Sequence, residues 1–385
     1  MKILICGDYI VYGTLKNSSH EIFGDFIDVI KSADIAIYNQ EFPVTKSREI
    51  YSTKKYGLTA QTDPEAIKAV EEAGFNYASL ANNHIFNRGV SGIDDTISNL
   101  KKAGITTFGA GKDLDSARKI LYVEKESTKI AFLNFAENEF NSANEYHGGS
   151  NPLDIIENVK QIQEAKKNAD FVFVIIHGGI DYCRIPSPRM IKQYRFYADS
   201  GASAIIGHHT HVVSGYENHH GIPIFYGIGN FIPGKIVTPD CKYSFPIEFT
   251  IDEKKTLTYK GYPLVFLTAK QKLKMLKGKE LDKFQEEVKE ISDSFSDLKT
   301  VKKLLLKDYL NKERKSYYST LFIRSNYFLF KLFRKLGLIN QYYKYINWRM
   351  RLTKTNSGSW NLFRCETHND VLNLIYEEQI DSYRN

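Results

Sequence analysis

The stretch Ala204-Ile-Ile-Gly-His-His-Thr-His211 places three histidines directly after a short apolar run. The apolar run predicts a buried strand over Ala204–Ile206. His209 and His211 are two residues apart, and residues i and i+2 of an extended segment point to the same side. We therefore expect these two imidazoles to face one metal centre.

Four other predicted strands also end in polar side chains that suit metal binding or catalysis. They are Lys2–Cys6, followed by Asp8; Ile35–Tyr38, followed by Asn39 and Glu41; Tyr77–Leu80, followed by Asn82, Asn83 and His84; and Phe171–Ile176, followed by His177. In open α/β sheets, sites form at the carboxyl ends of the strands, so these groups are predicted to converge in one crevice. Carboxylates, imidazoles and an amide oxygen without cysteine favour Zn²⁺, Mn²⁺ or Fe.

Helical patterns separate these strands and predict an α/β fold. The predicted helices are Glu21–Lys31, Asp63–Ala73, Ile93–Ala103, Ile155–Lys167 and Arg189–Ser200. Asp63 before Pro64 is a helix start, and Gly74, Gly104 and Gly201 are predicted to end three of the helices. Further strands are predicted over Lys129–Phe135 and Ile224–Tyr226, with an antiparallel pair formed by Pro246–Ile251 and Thr256–Tyr262.

Composition excludes several classes of protein. With 385 residues, 42% of them hydrophobic and 13% aromatic, the chain has ample apolar area to bury and is not disordered as a whole. Its four cysteines (Cys6, Cys183, Cys241 and Cys365) are widely spread and indicate reduced thiols. The first apolar run is too short for a signal peptide, and no segment approaches 18 apolar residues. We expect a soluble, cytoplasmic protein.

Charge is distributed unevenly along the chain. Residues 298–356 hold 15 Lys and Arg against two acidic residues, a balance of +13. The net charge is +7, so the remainder carries −6. We place a boundary near residue 267, between a body of residues 1–267 and a helical extension of residues 268–385. Helix is predicted over Lys270–Phe295 and from Val301 through about Leu352.

The extension combines basic and aromatic residues. Eleven aromatics lie between Tyr317 and Trp348, interleaved with Arg324, Lys331, Arg334, Lys335 and Lys344. Two interpretations fit this pattern: the aromatics pack on the α/β body, or residues 317–352 rest peripherally on an anionic membrane surface. We expect no nucleic-acid partner, because the body is acidic and no recognition motif is present.

Taken together, the motifs resemble the capsule and poly-γ-glutamate biosynthesis (CapA) family over about residues 1–265. The matching motifs are Gly7-Asp8, Asn39-Gln-Glu41, Ser79-Leu-Ala-Asn-Asn-His84, His177-Gly-Gly-Ile-Asp-Tyr182, Gly207-His-His-Thr-His211 and Tyr226-Gly-Ile-Gly-Asn-Phe231. The resemblance implies a layered, calcineurin-like metallophosphatase α/β sandwich. It also implies a metal-dependent hydrolase that acts in capsule, exopolysaccharide or polyglutamate biosynthesis on an anionic polymer or a phosphorylated precursor.

The resemblance also implies a role for individual residues. One or two divalent metal ions (Mn, Zn or Fe) would be held by Asp8, Glu41, Asn83, His177, His209 and His211. His84 would donate a proton to the leaving group, with Asp8 as the second catalytic residue. We add His208, Asp181, Arg184 and Asn230 as candidate substrate contacts. A metal activates water and neutralises charge on phosphoryl oxygens, and an imidazole can protonate an alkoxide near neutral pH.

This chain departs from the family pattern at several positions. Metallophosphatases usually have Asp-x-His where this chain has Asp8-Tyr9-Ile10, and Asn87 stands where Asp is expected. One tight and one weak metal is therefore an alternative to a dinuclear centre. A non-catalytic, metal-binding assembly factor for surface-polymer synthesis is the second hypothesis. Amide or isopeptide chemistry on a glutamyl polymer is the third.

Overall fold

A computed structural model describes residues 1–13, 17–47, 59–307, 335–338, 341 and 364–374. The strands are β1 (Lys2–Tyr9), β2 (Ile35–Gln40), β3 (Tyr77–Ser79), β4 (Thr106–Phe108), β5 (Ala110–Gly111), β6 (Leu121–Lys125), β7 (Thr128–Ala136), β8 (Gly149–Ser150), β9 (Phe171–His177), β10 (Ala204–His208), β11 (Tyr216–His219), β12 (Ile222–Phe225), β13 (Asn230–Ile232), β14 (Tyr243–Ser244), β15 (Ile247–Ile251), β16 (Leu257–Gly261), β17 (Leu264–Leu267) and β18 (Lys272–Met275). The helices are α1 (Ser19–Phe23), α2 (Ile27–Ser32), α3 (Ile67–Ala73), α4 (Gly89–Lys102), α5 (Leu114–Ala117), α6 (Ile155–Asn168), α7 (Pro188–Asp199), α8 (Lys279–Asp293) and α9 (Leu298–Leu305).

Two large mixed sheets form the body. The first has the order β16-β15-β1-β2-β3-β4, with the short strand β13 added beside the end of β1. The second has the order β11-β12-β10-β9-β7-β6. In both sheets the central strands are parallel, and the antiparallel strands lie at the edges. The carboxyl ends of the parallel strands therefore gather along one edge of each sheet.

Alternation along the central strands builds a four-layer sandwich. On β1, Ile3 and Ile5 face a cluster between the two sheets, whereas Leu4 and Cys6 face the helices outside the first sheet. On β9, Phe173 faces the same central cluster and Val174 faces the helices outside the second sheet. Buried parallel strands need apolar residues on both faces, which explains their near-continuous apolar sequences. The predicted layered α/β sandwich is confirmed.

Helix ends follow local sequence, with one exception. The Asp63 side chain accepts a hydrogen bond from the backbone of Glu65 and Pro64 follows, as predicted. Gly74 ends α3 in the left-handed conformation, with φ of 97°. The predicted helix Glu21–Lys31 is wrong as a continuous element, because it breaks at Gly24 (φ 53°) into α1 and α2. A Cβ at Gly24 would lie 2.8 Å from the carbonyl oxygen of Leu273, so the break lets β18 pack close.

The predicted helix Lys270–Phe295 is also wrong at its start. Residues 272–275 form β18, which pairs antiparallel with β17 across the predicted boundary at residue 267. Charged and apolar residues alternate with period two in the Lys-Leu-Lys-Met sequence of β18. Leu273 is fully buried in the apolar cluster between the first sheet and the helices outside it. Helix begins only at Lys279, after Gly278 with φ of 55°.

The chain returns to the body near its C-terminus. Residues 366–374 are helical, and Val371, Leu372 and Leu374 pack in the outer core of the second sheet together with Val301 and Leu305 of α9. The basic, aromatic residues 317–352 lie outside the described residues, except for 335–338 and 341. Within the described part of the chain, no helix is both long and apolar enough to cross a membrane.

Candidate metal centre

The carboxyl ends of five parallel strands bring the predicted residues together. β1 supplies Asp8, β2 leads into Glu41, β3 leads into Asn83 and His84, β9 ends at His177, and β10 leads into His209 and His211. The two sheets contribute from opposite sides, because β1, β2 and β3 belong to the first and β9 and β10 to the second. Asp8 and His177 are buried, although both carry polar side chains.

Asn39 ties two of the carboxylates together. Its amide Nδ2 donates to Asp8 Oδ1 and to Glu41 Oε2, each over 2.7 Å. Asn82 in turn donates from Nδ2 to the Asn39 side-chain oxygen over 3.2 Å, which fixes the orientation of the Asn39 amide. Asn39 and Asn82 are both fully buried. One buried asparagine therefore sets the separation of two acidic side chains.

Four potential ligand atoms surround one point beside His177. His177 Nε2 lies 3.1 Å from His209 Nδ1, 3.2 Å from Asn83 Oδ1 and 3.6 Å from Glu41 Oε1. The Asn83 amide donates through Nδ2 to Glu139 Oε1 over 3.1 Å, so its oxygen is the atom that faces His177. The pKa of His177 lies well below its usual value, mainly because the ring is buried and secondly because the positive charge of a protonated His209 would repel its own. A neutral imidazole is the form that binds metals.

A second group of donors surrounds Asp8. Asp8 Oδ2 lies 3.6 Å from His211 Nδ1 and accepts a hydrogen bond from the backbone N–H of His209 over 3.2 Å. Asn230 donates from Nδ2 to the carbonyl oxygens of His211 and Cys241, which leaves its Oδ1 facing His211 Nδ1 at 2.9 Å. This pattern assigns a hydrogen to Nδ1 of His211 and leaves Nε2 as its ligand atom.

Buried charges shape the pKa values in this group. Burial lowers the pKa of His211, but the Asp8 carboxylate and the negative charges of Asp181 and Glu41 outweigh it and raise that pKa to about 10. Burial raises the pKa of Asp8, yet contact with His211 holds it below its usual value. For Glu41, burial and the charge of Asp8 raise the pKa well above its usual value. A bound cation is the natural partner for such a carboxylate.

The loop after β10 does not follow the conformation expected from sequence. The prediction of an extended segment over His209–His211 is wrong, because His209 has φ of 86° and His211 has φ of 59°. Both residues are in the left-handed region, where side chains other than glycine are uncommon. The two rings still face the same crevice, with centroids 6.0 Å apart. The strained loop, rather than strand alternation, brings both imidazoles to the centre.

His84, the predicted proton donor, lies at the rim of the crevice. Its Nε2 is 4.0 Å from Glu41 Oε1, and its ring packs edge-on against Phe42 with centroids 5.0 Å apart. Asn87 Nδ2 donates to the carbonyl of Ala60 and also lies 3.0 Å from His84 Nδ1. Nδ1 of His84 therefore accepts from the amide, and the ring hydrogen is on Nε2, facing the crevice.

The four predicted substrate contacts have different surroundings. Asp181 is half-exposed, and its Oδ1 lies 3.5 Å from His209 Nε2 at the mouth of the crevice. Asn230 orients His211. The Arg184 guanidinium donates to the carbonyl of Val213 and to Glu287 of α8. His208 has no exposed side-chain surface and lies behind Asp8, with its Nδ1 3.8 Å from Asp8 Oδ1, so no face of it is open to a substrate.

Sequence reasoning missed Glu137, which follows β7 as the other acids follow their strands. Its backbone N–H donates to the carbonyl oxygen of His177, and its carboxylate is buried. Arg189 and Thr367 both donate to Glu137 Oε1, over 2.6 Å and 2.8 Å. Burial raises the pKa of Glu137, but the Arg189 charge outweighs it and holds that pKa below its usual value. The strand-end pattern could have found Glu137, whereas nothing local indicates Thr367.

The donor set fits a divalent metal. Glu41 Oε1 is buried and has no hydrogen-bond partner among the described residues. Three other potential metal-ligand atoms, His177 Nε2, His209 Nδ1 and Asn83 Oδ1, lie in the same part of the crevice. The described residues also place Asp8, His177 and His208 close enough to share one ion. Imidazole, carboxylate and amide-oxygen donors without thiolate suit borderline and hard cations. The residues that surround Glu41 would hold one such ion beside His177.

Comparison with known proteins gives the family. Residues 2–235 match the family described as bacterial capsule synthesis protein PGA_cap. The chain belongs to this family. The resemblance predicted from its motifs is thereby confirmed. The matched range includes every predicted ligand from Asp8 to His211, and it ends before α8, α9 and the C-terminal residues.

Two curated relatives agree with this assignment. The PGA biosynthesis protein CapA of Bacillus subtilis is 32% identical over 232 residues, which cover 60% of this chain and 61% of the relative. The capsule biosynthesis protein CapA of Bacillus anthracis is 32% identical over 218 residues, covering 55% of this chain and 53% of the relative. The matched region thus spans little more than half the length of each.

A crystal structure of a putative 5′-nucleotidase from Staphylococcus aureus is 14% identical, covering 75% of this chain and 58% of that chain, with a TM-score of 0.45.

Proposed function

We propose that this chain is a metal-dependent hydrolase of phosphate esters that works in the synthesis of a capsule or related surface polymer. The observation that carries the proposal is the gathering of Glu41 Oε1, Asn83 Oδ1 and His209 Nδ1 within 3.6 Å of His177 Nε2. These side chains come from both sheets and have no packing reason to share one polar point in a buried crevice. Membership of the PGA_cap family supports the biosynthetic context.

The chain's own residues have defined tasks in this chemistry. A bound divalent metal lowers the pKa of its water and neutralises charge on phosphoryl oxygens. Asn39 holds Asp8 and Glu41 at a fixed separation, so both carboxylates are placed before any substrate arrives. His84 presents its Nε2 hydrogen to the crevice and would donate it toward the leaving-group oxygen. Asp181, half-exposed at the mouth, would meet the substrate first.

The test compares metal loading and turnover on matched variants. The full chain, loaded with Mn²⁺, Zn²⁺ or Fe²⁺, is offered phosphomonoesters, phosphodiesters and γ-glutamyl amides. We expect His209→Ala to lose both metal and turnover. His84→Asn should keep its metal and lose 10²- to 10⁴-fold in kcat, as for removal of a proton donor. His20→Ala, at an exposed position of α1, is the control and should leave both unchanged.

A second function is favoured by the residue two positions after Asp8. Ile10, which stands where metallophosphatases usually have a histidine, is buried in a small apolar cluster with Phe42 and Ala60. Such a centre suits a protein that keeps the fold and one metal and acts as a non-catalytic assembly factor. A folded, metal-loaded chain that is inert toward the whole panel would contradict the hydrolase proposal and favour this role.

A further inference from the structure

A second histidine cluster lies away from the candidate metal centre. His219 ends β11, His220 follows in the turn to β12, and Asp199 ends α7. β12 runs parallel to β10, so the turn before β12 lies at the edge of the sheet opposite to His208 and the metal centre. Asp199 reaches the same edge because α7 leads into the beginning of β10.

Both imidazoles aim a nitrogen at one carboxylate oxygen. His219 Nε2 lies 3.0 Å and His220 Nδ1 lies 3.1 Å from Oδ1 of Asp199. The two rings are in contact, with centroids 4.1 Å apart. The nitrogen and oxygen atoms of these three side chains all lie within 4.8 Å of one another. Three potential ligand atoms, two from the hairpin of β11 and β12 and one from the end of α7, thus lie close together.

The turn explains how two consecutive histidines face the same way. His220 and Gly221 both have positive φ, 52° and 89°, as in the two-residue turns that suit the twist of a hairpin. Asn218 Oδ1 accepts the backbone N–H of Gly221 over 2.8 Å, which fixes the turn. In a continuing strand, His220 would point to the opposite face from His219. Because His220 has a left-handed backbone, its ring instead lies on the same side as that of His219, next to Asp199.

We propose that Asp199, His219 and His220 form a separate site for a transition-metal ion of the Zn²⁺ class. Ligand atoms bound tetrahedrally to zinc at about 2.0–2.1 Å lie about 3.3 Å apart. The two observed nitrogen–oxygen distances, 3.0 Å and 3.1 Å, are close to that separation. Two imidazoles and one carboxylate are a zinc donor set, with the fourth position left to water or a further ligand.

The surroundings suit an accessible ion at a fixed place. The side chain of His219 is 17% exposed, so its ring is held by packing, whereas His220 is 77% exposed and opens the site to solvent. An ion there would join the edge strand β11 to the end of α7, two elements with no backbone ladder between them. The proposal does not depend on hydrolase activity, because none of the three residues contacts the predicted catalytic side chains.

The test measures binding of zinc alone to the whole 385-residue chain. Metal-free protein is titrated with Zn²⁺ against a chromophoric chelator, for the wild type, the double variant His219→Ala/His220→Ala, Asp199→Asn and the control His20→Ala. We expect the double variant to bind one zinc ion fewer per chain, Asp199→Asn to bind that ion at least tenfold more weakly, and the control to match the wild type.

A second measurement places the ion. Zinc-edge anomalous scattering from crystals of the wild type should show a peak beside Asp199, and crystals of the double variant should lack it. Equal zinc stoichiometry and affinity in the wild type and the double variant would overturn the proposal, as would the absence of anomalous signal at Asp199. Neither result would affect the hydrolase proposal, whose residues are intact in both proteins.

Discussion

Asn39 donates a 2.7 Å hydrogen bond from Nδ2 to Oδ1 of Asp8, and the same amide nitrogen holds Glu41. Asn39→Ala would leave two buried carboxylates without this shared donor. Because unsatisfied buried charged groups are costly, we expect a loss of about 2–4 kcal/mol in the free energy of unfolding. Urea denaturation of the metal-free protein measures this. The control, Asn168→Ala at the exposed end of α6, should change stability by well under half as much.

Metal binding should stabilise the folded chain. A ligand that binds only the folded state adds about 2.7 kcal/mol at a free concentration one hundred times its dissociation constant. We therefore expect the melting temperature to rise on adding Mn²⁺ or Zn²⁺ and to fall again with a chelator. His209→Ala should lose most of this rise, whereas His20→Ala should keep it. An equal rise in all three proteins would show that the crevice is not the main binding site.

The Glu137–Arg189–Asp370 cluster should be sensitive to loss of its cation. Arg189 donates to Glu137 and to Asp370 over 2.6 Å and 2.7 Å, and its side chain is 25% exposed. Arg189→Ala would leave two largely buried acids without their partner, and we expect a cost of about 3–5 kcal/mol. Arg189→Lys keeps the charge and should cost less. Thermal unfolding of the two variants separates loss of charge from loss of geometry.

The C-terminal residues should contribute to the core of the body. Leu372 is 4% exposed and packs in the cluster outside the second sheet. We expect Leu372→Ala to lower the free energy of unfolding by about 2–5 kcal/mol, as for other truncations of buried leucine. Limited proteolysis should then cut the chain near residue 364 sooner than in the wild type. Unchanged stability and unchanged cleavage would mean that this segment does not hold its place in solution.

Asp34 lies at the end of the sandwich away from the crevice, and it should make the stability of the folded chain depend on pH. Burial raises the pKa of Asp34, but its ion pair with Lys125 and the backbone N–H of Lys2 outweigh it and lower that pKa. A lowered pKa in the folded state adds stability above the unfolded value, and this stability is lost as the pH falls through the folded value. Asp34→Asn should therefore cost about 1 kcal/mol at pH 7 and almost nothing near pH 2.

The pH experiment has a matched control on the same sheet system. Asp94→Asn on α4, which removes one exposed carboxylate, is compared with Asp34→Asn over the same pH range. If the difference between Asp34→Asn and the wild type stays constant from pH 7 to pH 2, the ion pair is not the cause. Salt should reduce the difference, since Lys125 is half-exposed and its charge is screened.

Most of the fold could be predicted because its signals are local. Runs such as Phe171–Ile176 are apolar on both faces, as buried parallel strands must be, and glycines such as Gly74 mark helix ends. β18 was missed because a strand of four residues between charged segments resembles the start of the helix that follows it. The break at Gly24 depends on close approach of β18, which no local pattern reveals.

The candidate centre was predictable to the extent that strand ends define it. The topology places Asp8, Glu41, Asn83 and His177 at neighbouring strand ends, and the loop after β10 starts beside them. The residues that orient these side chains were harder to predict. Asn230 and Glu139 orient the ligands His211 and Asn83, and Asn87 orients the proton donor His84, through hydrogen bonds whose direction depends on the folded backbone. The left-handed conformations of His209 and His211 likewise reflect tertiary constraint rather than residue preference.

Thr367 donates to Glu137, a residue made 230 positions earlier in the chain. A ribosome that adds about 5–20 residues per second needs about 10–50 s to travel that distance. By the end of this interval the family-matched region, which ends at residue 235, has been synthesised, and until then the carboxylate of Glu137 lacks its hydroxyl partner. Glu137, whose backbone N–H donates to His177, therefore gains its full set of hydrogen-bond partners only after residue 367 is made. A nascent chain stalled before residue 364 would carry all six predicted ligands and still lack part of the structure that supports them.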